Sequence, residues 1–411
     1  MKLTRKIVLN RLLFSVGILL LIRVGTFLPV PGVNHNDILF YIQRHSTTKN
    51  LLSTFSASDI FVVGLFSLNI FPYINATILV QLLVAFSPKL ANLQKEGDFA
   101  SRRAINKLTR RIALGLAIVQ SASVSLYLKQ VLFDWNYGLA LEIIIWMTAG
   151  AMIVLWLSEI ITERGLGNGA SLLIYTNIVS NLPNLIKKTI FVSNENSIFL
   201  SGLSITILVF VSLYGIVFLQ EGIRKIPLRS AKQLAQPSLR ETARSFLYLP
   251  LRFNQAGVMP IILTTAILVI PNYIISSGLF PWLNFLSSLK FLYWISYFIL
   301  IMVSSSFYSF IVLKPKDLAD QLQKMSVAIP GVRPGIQTVF YLKRVIQRLT
   351  LIGATLLATL TVVPNVIESK LNVSGLNGLS TTSLLILAGV IIDLIREINN
   401  IYYSNVYDER Y

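Results

Sequence analysis

The stretch "NIFPYINATILVQLL", Asn69 to Leu83, decides how the chain is read. It lies in a long apolar region, yet it has a proline at its fourth position and polar residues at Asn69, Asn75, Thr77 and Gln81. A plain membrane anchor needs none of these. Apolar sequence already precedes it, and Phe55 to Phe86 as one helix would be about 48 Å long. That is too long for one upright span and too short for two. Pro72 resolves the conflict, because proline suits the first turn of a helix, where its missing N–H costs nothing. A new helix is expected near Asn69, capped by Asn69 or Ser67. "FSASDIFVVGLF", Phe55 to Phe66, is then a separate short piece. It is expected to fold back into the protein, since irregular backbone at membrane depth is tolerated only there or beside water. Discontinuous helices of this kind mark the pathway in many transport proteins. On the new helix Ile70, Ile74 and Ile78 repeat every four residues and share a face. Such a face packs on lipid or core, or seals a pore by dewetting, and spacing alone does not choose.

The rest of the chain sets the scale of this reading. Its 411 residues are 54% hydrophobic and 13% charged, where soluble proteins run near 25% charged. Repeated apolar runs of about 20 residues therefore make a multi-span helical membrane protein. The alternating ten-residue segments of a β-barrel are missing. With no cysteine there are no disulfides or thiolate sites. His35 and His45 share one polar loop and are too few for a zinc site. "MKLTRKIVLNRLLFSVGILLLIRVGTFLPVPG" has a basic start but no small-residue cleavage pattern, and reads as a retained first span.

Ten spans can be read, roughly 12–31, 70–86, 112–130, 140–158, 170–190, 202–221, 256–275, 291–313, 348–365 and 383–399. Basic residues then alternate between the two sides. Lys2, Arg5, Lys6 and Arg11 precede the first span, and Lys89, Lys95, Arg102, Arg103, Lys107, Arg110 and Arg111 follow the second. Arg224, Lys225, Arg229, Lys232, Arg240, Arg244 and Arg252 follow the sixth. Lys314, Lys316, Lys324, Arg333, Lys343, Arg344 and Arg348 follow the eighth. Loops of the other parity hold only Arg44, Lys49, Lys129, Lys187, Lys188, Lys290 and Lys370. The positive-inside rule puts the rich set, with both termini, on the cytoplasmic or stromal side. Topology and anionic lipid account for a few charges per loop. Two inner loops of about 30 residues are long enough to act as contact surfaces for RNA or an acidic partner.

Other candidates for chemistry are sparse. "ERGLGNGAS", Glu163 to Ser171, lacks phosphate-loop spacing and reads as a tight turn into the fifth span. Arg23 in the first span can snorkel, Glu142 and Glu159 lie near the ends of the fourth, and Asp393 and Arg396 can pair near the end of the tenth. The chain has no clear midplane acid with a basic partner, which weakens an ion-coupled transporter. It also shows no catalytic triad, HExxH or paired membrane aspartates, which argues against an enzyme. "AIPGVRPGIQT", Ala328 to Thr338, sets two turns around Arg333, either to present that arginine or merely to join two helices.

Several strings in order carry a resemblance over nearly the whole chain. They are "RLLFSVGILLLIRVGTFLPVPGV", "LNIFPYINATILVQLL", "LQKEGDFASRRAINKLTRR", "WLSEIITERGLGNGASLLI", "LPLRFNQAGVMPIIL", "KPKDLADQLQKMSVAIPGVRPGIQT" and "TSLLI". The chain resembles the SecY family, channel subunits of bacterial and plastid Sec translocons. The resemblance implies an all-α polytopic membrane protein with ten transmembrane helices in two inverted pseudo-symmetric halves, 1–200 and 201–411, around a central hourglass pore. It implies a protein-conducting channel, not an enzyme. Such a channel moves unfolded signal-bearing polypeptides across the membrane and releases membrane segments sideways through a lateral gate.

The site residues follow from the same resemblance. Segment 55–66, with Phe55, Asp59, Phe61, Val63 and Phe66, matches a plug. Ile70, Ile74, Ile174, Ile262 and Ile386 match a pore ring. Asn75, Gln81, Thr264, Thr265 and Ile270 match the lateral gate. Arg224, Lys225 and Arg333 match the docking surface for the ribosome or the SecA motor. No cofactor or metal is implied, and energy comes from a partner ATPase or the ribosome. Implied partners are a SecE-like single-span subunit, a SecG-like subunit, SecA, the ribosome, a membrane insertase, precursor polypeptides and membrane lipids. The string "NGLSTTSLLI" lacks the two glycines the family often has there, and Glu221 in "VFLQEGIRK" stands where a basic residue is common. Rich Asn, Ile and Lys usage without a transit peptide looks like a plastid-encoded algal protein of the thylakoid. A bacterial plasma membrane is the alternative address.

Overall fold

A helix satisfies its backbone internally, the condition for crossing hydrocarbon. The computed structural model describes residues 2–33, 64–96, 98–129, 135–192, 198–230, 247–255, 257, 259–261, 263–264, 267, 290–371 and 381–408. They form α1 (Lys2–Gly25), α2 (Phe71–Phe86), α3 (Pro88–Glu96), α4 (Phe99–Leu128), α5 (Tyr137–Arg164), α6 (Gly169–Val192) and α7 (Ile198–Glu221). Strands β1 (Ile223–Pro227), β2 (Arg229–Ser230) and β3 (Tyr248–Arg252) follow. Then come α8 (Lys290–Val312), α9 (Pro315–Lys324), β4 (Val327–Ala328), α10 (Ile336–Leu371) and α11 (Thr381–Asp408). Among the described residues, the stretches Lys6–Gly25, Tyr137–Arg164, Trp294–Lys324 and Ile336–Pro364 are long and apolar enough to cross a membrane. Phe71–Val84, Gly169–Ser180 and Phe210–Glu221 are shorter apolar helices.

Helix occupies each expected span except the seventh, of which only 259–261, 263–264 and 267 are described as helical. The plug positions Phe55, Asp59, Phe61 and Val63, the pore position Ile262 and the gate positions Thr265 and Ile270 lie outside the described residues, as do His35 and His45. Connections read as basic loops are substantially helical. α4 begins 13 residues before the expected third span and α10 begins 12 before the ninth, counted from Phe99 and Ile336. Helix α9 has Pro315 at its start, Asp317 in its first turn and Lys324 in its last, an arrangement that suits the helix dipole.

The chain divides into two compact units, Met1–Lys187 with Val390–Tyr411, and Lys188–Gly389. In the first unit, α4 and α5 pack through Ala117, Val124, Leu128, Ile143, Met147 and Ala151, with Val30, Val33 and Leu68 in the same core. Asn136 starts α5, its side chain accepting the Tyr137 N–H at 2.7 Å. Between α5 and α6, "GLGN" makes the expected tight turn. The Leu166 N–H donates to Ser15 Oγ at 2.9 Å, and Asn168 Oδ1 accepts the Ala170 N–H at 3.0 Å. Gly167 there has φ +86°, a left-handed conformation that favours glycine.

In the second unit, α7, α8, α10 and the start of α11 share a core of Ile216, Leu219, Tyr297, Ile301, Leu357, Leu384 and Leu385, with Ile261. Hydroxyl pairs join the helices, Ser309 with Thr350 at 2.7 Å and Thr264 with Ser304 at 2.9 Å. The second core of this unit lies in the basic segments. Strands β1 and β3 form an antiparallel ribbon, with Arg224 opposite Leu251 and Ile226 opposite Leu249. β2 pairs with β4 across the two segments, Arg229 with Ala328 and Ser230 with Val327. Ile226, Leu228, Leu251, Ala319, Leu322, Ile329, Leu342, Val345, Ile346 and Leu349 fill the interior. The two long basic loops are therefore one folded layer.

Candidate functional site

The break before α2 is built from consecutive turns. After α1 the chain forms a bridge between Pro29 and Gly64, and the Leu65 N–H donates to Leu28 O at 2.8 Å. Ser67, Asn69 and Phe71 N–H groups then donate three residues back, at 3.1, 2.9 and 3.3 Å. Gly64 and Gly150 allow the close approach, since a Cβ on either would overlap a backbone carbonyl, that of Thr26 or Leu65. Phe66, the described end of the expected plug, is buried, and its ring occupies the space a Cβ at Gly25 would need.

Helix α2 begins at Phe71 with Pro72 in its first turn, as the proline required. The expected cap is corrected. Ile70 occupies the cap position without a side-chain cap bond. Ser67 Oγ is buried with no partner among the described residues. Asn69 instead takes a left-handed backbone with φ +48°. Its Oδ1 accepts the Ile70 N–H at 2.9 Å, and its Nδ2 donates to Asn177 Oδ1 on α6 at 3.0 Å. Asn69 thus stands one residue before the cap position, and without the extended backbone typical of a capping residue.

The isoleucine face of α2 is inside the protein. Ile70, Ile74 and Ile78 are 1%, 5% and 5% exposed, so they do not face lipid. Ala76 packs with Ala113 of α4 and Leu155 of α5, beside Tyr73. Ile174 on α6 and Ile386 on α11 are half-buried, whereas Leu172, Leu173, Leu384 and Leu385 next to them are buried. Asn75 is partly exposed. Gln81 Oε1 is buried without a partner among the described residues. Thr264 is fully buried, and its hydroxyl is committed within the second unit, to Pro260 O at 2.8 Å and to Ser304 Oγ.

Several charged residues at or near the spans have partners among the described residues. The Arg110 guanidinium grips the Glu159 carboxylate through two 2.8 Å contacts, joining α4 to α5. Sequence spacing did not suggest this pair, because the residues are 49 positions apart. Arg396 meets Asp393 at 3.4 Å, as its i,i+3 spacing allowed. Arg23 lies over the Phe27 ring at 5.1 Å.

On the basic layer, Arg224, Lys225 and Arg333 are all exposed. Neighbouring residues of a strand point to opposite faces, so the register separates Arg224 from Lys225. Lys225 Nζ lies over the Tyr248 ring at 5.0 Å, on the face away from Leu251. Arg333 sits in a turn between glycines with φ +81° at 331 and +101° at 335, and its carbonyl accepts the Thr338 hydroxyl at 3.0 Å. Exposed Arg229, Arg252, Lys316, Lys324, Lys343, Arg344 and Arg348 extend the positive surface. The missed element was the apolar core beneath them. Its signal was present as Leu228, Leu251, Leu322 and Ile329 inside otherwise polar segments.

The chain was compared with known proteins. The SecY family model matches residues 64–395. The chain is similar to a protein translocase subunit SecY of Trieres chinensis, 58% identical over 410 residues, covering 97% of this chain and 96% of the relative. It is similar to a protein translocase subunit SecY of Porphyra purpurea, 41% identical over 404 residues, covering 97% of each. Among solved structures, a SecY whose plug domain stabilises the closed state of the translocation channel and maintains a membrane seal superposes with a TM-score of 0.63 at 17% identity, covering 96% of this chain and 92% of the other. Sec61 in the canine ribosome–channel complex from the endoplasmic reticulum gives 0.57 at 17% identity, with the same coverage. At these identities the structures bear on the fold alone.

Proposed function

We propose the function of this chain from a plain premise: it belongs to the SecY family. It is a membrane-embedded, protein-conducting channel subunit of a protein translocase, and it is not an enzyme. Beyond that, ten spans form two inverted halves, 1–200 and 201–411, around an hourglass pore. Unfolded signal-bearing polypeptides pass through it, and membrane segments leave through a lateral gate. The observation that carries this reading is the turn before α2 with Ile70 and Ile74 buried inside the protein behind it. A stripe of bulky apolar side chains that avoids lipid can close around a passing chain, exclude ions by dewetting and bind nothing tightly.

Ile70, Ile74, Ile174, Ile262 and Ile386 form the pore ring in this proposal. Segment 55–66 plugs the outer funnel, a role supported by the seal that the plug domain makes in the similar SecY. Phe66 is the anchored end of that plug, held at Gly25. Asn75, Gln81, Thr265 and Ile270 lie at the lateral gate. Thr264 serves the gate indirectly, by fixing its own segment to α8 through Ser304. A hydrophobic signal helix then shifts the gate towards open by binding that state better.

Arg224, Lys225 and Arg333 dock the ribosome or SecA, which supplies the energy, and no cofactor takes part. The ribosome-bound state of the similar Sec61 supports the ribosome as partner. A SecE-like subunit, a SecG-like subunit and an insertase complete the assembly. The relatives from Trieres chinensis and Porphyra purpurea support a plastid thylakoid address. The test is purification of the assembly from its membrane and reconstitution into vesicles with SecA and ATP. Signal-bearing precursors should become protected from added protease, and precursors lacking the signal should not. Failure to protect any precursor, with the assembly intact, overturns the reading.

A further inference from the structure

Asn69 occupies a backbone position that most side chains avoid. Its φ of +48° is left-handed, a region that glycine enters freely and that asparagine tolerates better than most other residues. A glycine there would relieve the strain. The asparagine side chain, however, uses both ends of its amide. Oδ1 accepts the next residue's N–H and Nδ2 donates to Asn177 Oδ1 at 3.0 Å. The residue is 5% exposed, so water does not substitute readily for either bond.

The placement of the pair gives it a consequence. Asn69 immediately precedes Ile70, and Asn177 lies three residues beyond Ile174, about one helical turn. The hydrogen bond ties the turn before α2 to α6, between two segments that each carry an expected ring residue. Asn69 is buried and Asn177 is half-buried, so separation would leave the Asn69 amide unsatisfied, and the contact favours one discrete arrangement over gradual spreading.

We propose that the Asn69–Asn177 hydrogen bond is a latch that holds the turn before α2 on α6 and so keeps Ile70 and Ile174 in their closed positions. Asn69 and Asn177 are positioning residues in this scheme, and the proposal rests on the reading of Ile70, Ile74 and Ile174 as the pore ring. Opening of the channel breaks the bond, and closing remakes it.

The test is resting ion leak through the full assembly in planar bilayers, with no precursor present. Asn69→Gly keeps the left-handed backbone accessible and removes the bond, and Asn177→Ala removes it from the other side. Each should raise the leak about three- to tenfold, the range expected for one interhelical hydrogen bond. The double variant should leak no more than the leakier single, because both remove the same bond. Ile74→Asn is the control for the ring and should raise the leak by itself. Wild-type leak in both single variants beside a leaky Ile74→Asn overturns the latch and leaves the ring standing. Loss of thermal stability at wild-type leak makes the pair a structural contact only, which also overturns it. Additive leaks in the double variant overturn it too. Wild-type leak in Ile74→Asn overturns the ring reading, and the latch with it. Should Asn177→Ala fail to accumulate, Asn177→Gln, which displaces the amide by one methylene, carries the same expectation.

Discussion

Leu251→Ala tests whether the basic layer is one folded body. Leu251 is 2% exposed. It lies in β3, on the ribbon face shared with Ile226 and Leu249. It belongs to the core formed with Leu228, Ala319, Leu322 and Ile329. Truncation removes about three carbon groups, worth roughly 0.8 kcal/mol each. The cavity left behind brings the cost to about 3 kcal/mol. The layer sets exposed Lys and Arg side chains around an apolar core, so the hydrophobic argument applies. At about 1.4 kcal/mol per tenfold, the opening equilibrium of the layer rises about a hundredfold. The layer is dense in Lys and Arg, so limited trypsin digestion of membranes reads that opening directly. When opening is fast relative to cleavage, the cleavage rate follows the open population. Initial cutting within 223–252 and 314–350 should therefore accelerate about a hundredfold, while the spans remain intact. Binding of the motor or ribosome should weaken in parallel, because Arg224 and Arg333 lose their shared support. Cleavage at the wild-type rate, with the variant inserted normally, would refute the reasoning and leave two independent loops.

Three further outcomes follow from particular contacts. Arg333→Glu should cost less than about 0.5 kcal/mol of stability, as for an exposed surface change, yet reduce motor-driven export; normal export rejects the docking role. Gly150→Ala should destabilise the first unit by about 1–3 kcal/mol, since a Cβ would overlap the Leu65 carbonyl. A wild-type melting temperature in detergent would contradict that packing. Ile386→Asn should let precursors with defective signals cross, because a polar group in the ring favours the wetted state. Unchanged signal selectivity in an export assay argues against Ile386 as a ring residue.

Some of the site was legible in the sequence. Pro72 announced the start of α2, and the four-residue repeat put Ile70, Ile74 and Ile78 on one face. The choice between lipid and interior was not legible. A face of isoleucines satisfies either environment, and only packing distinguishes them. The cap of α2 was misread for a related reason. A capping asparagine typically has an extended backbone, whereas Asn69 is left-handed and its side chain is engaged by Asn177, which is 108 residues away. The Arg110–Glu159 pair was hidden by the same distance in sequence. In the basic layer, charge drew attention to the surface, while the apolar residues that hold the surface together were scattered over two segments.

By itself the sequence determined that this chain is a helical membrane protein, that helix lies where most of its apolar runs are, and that a helix restarts at Pro72. These are properties of composition and of local backbone chemistry, and short-range order in the chain suffices for them. Tertiary structure alone decided that the isoleucine stripe points inward, that Asn69 grips Asn177, and that β2 and β4 join two basic segments over one core. Each of these depends on atoms far apart in sequence. Their partners are chosen by shape and by unsatisfied polar groups, and a linear pattern carries neither.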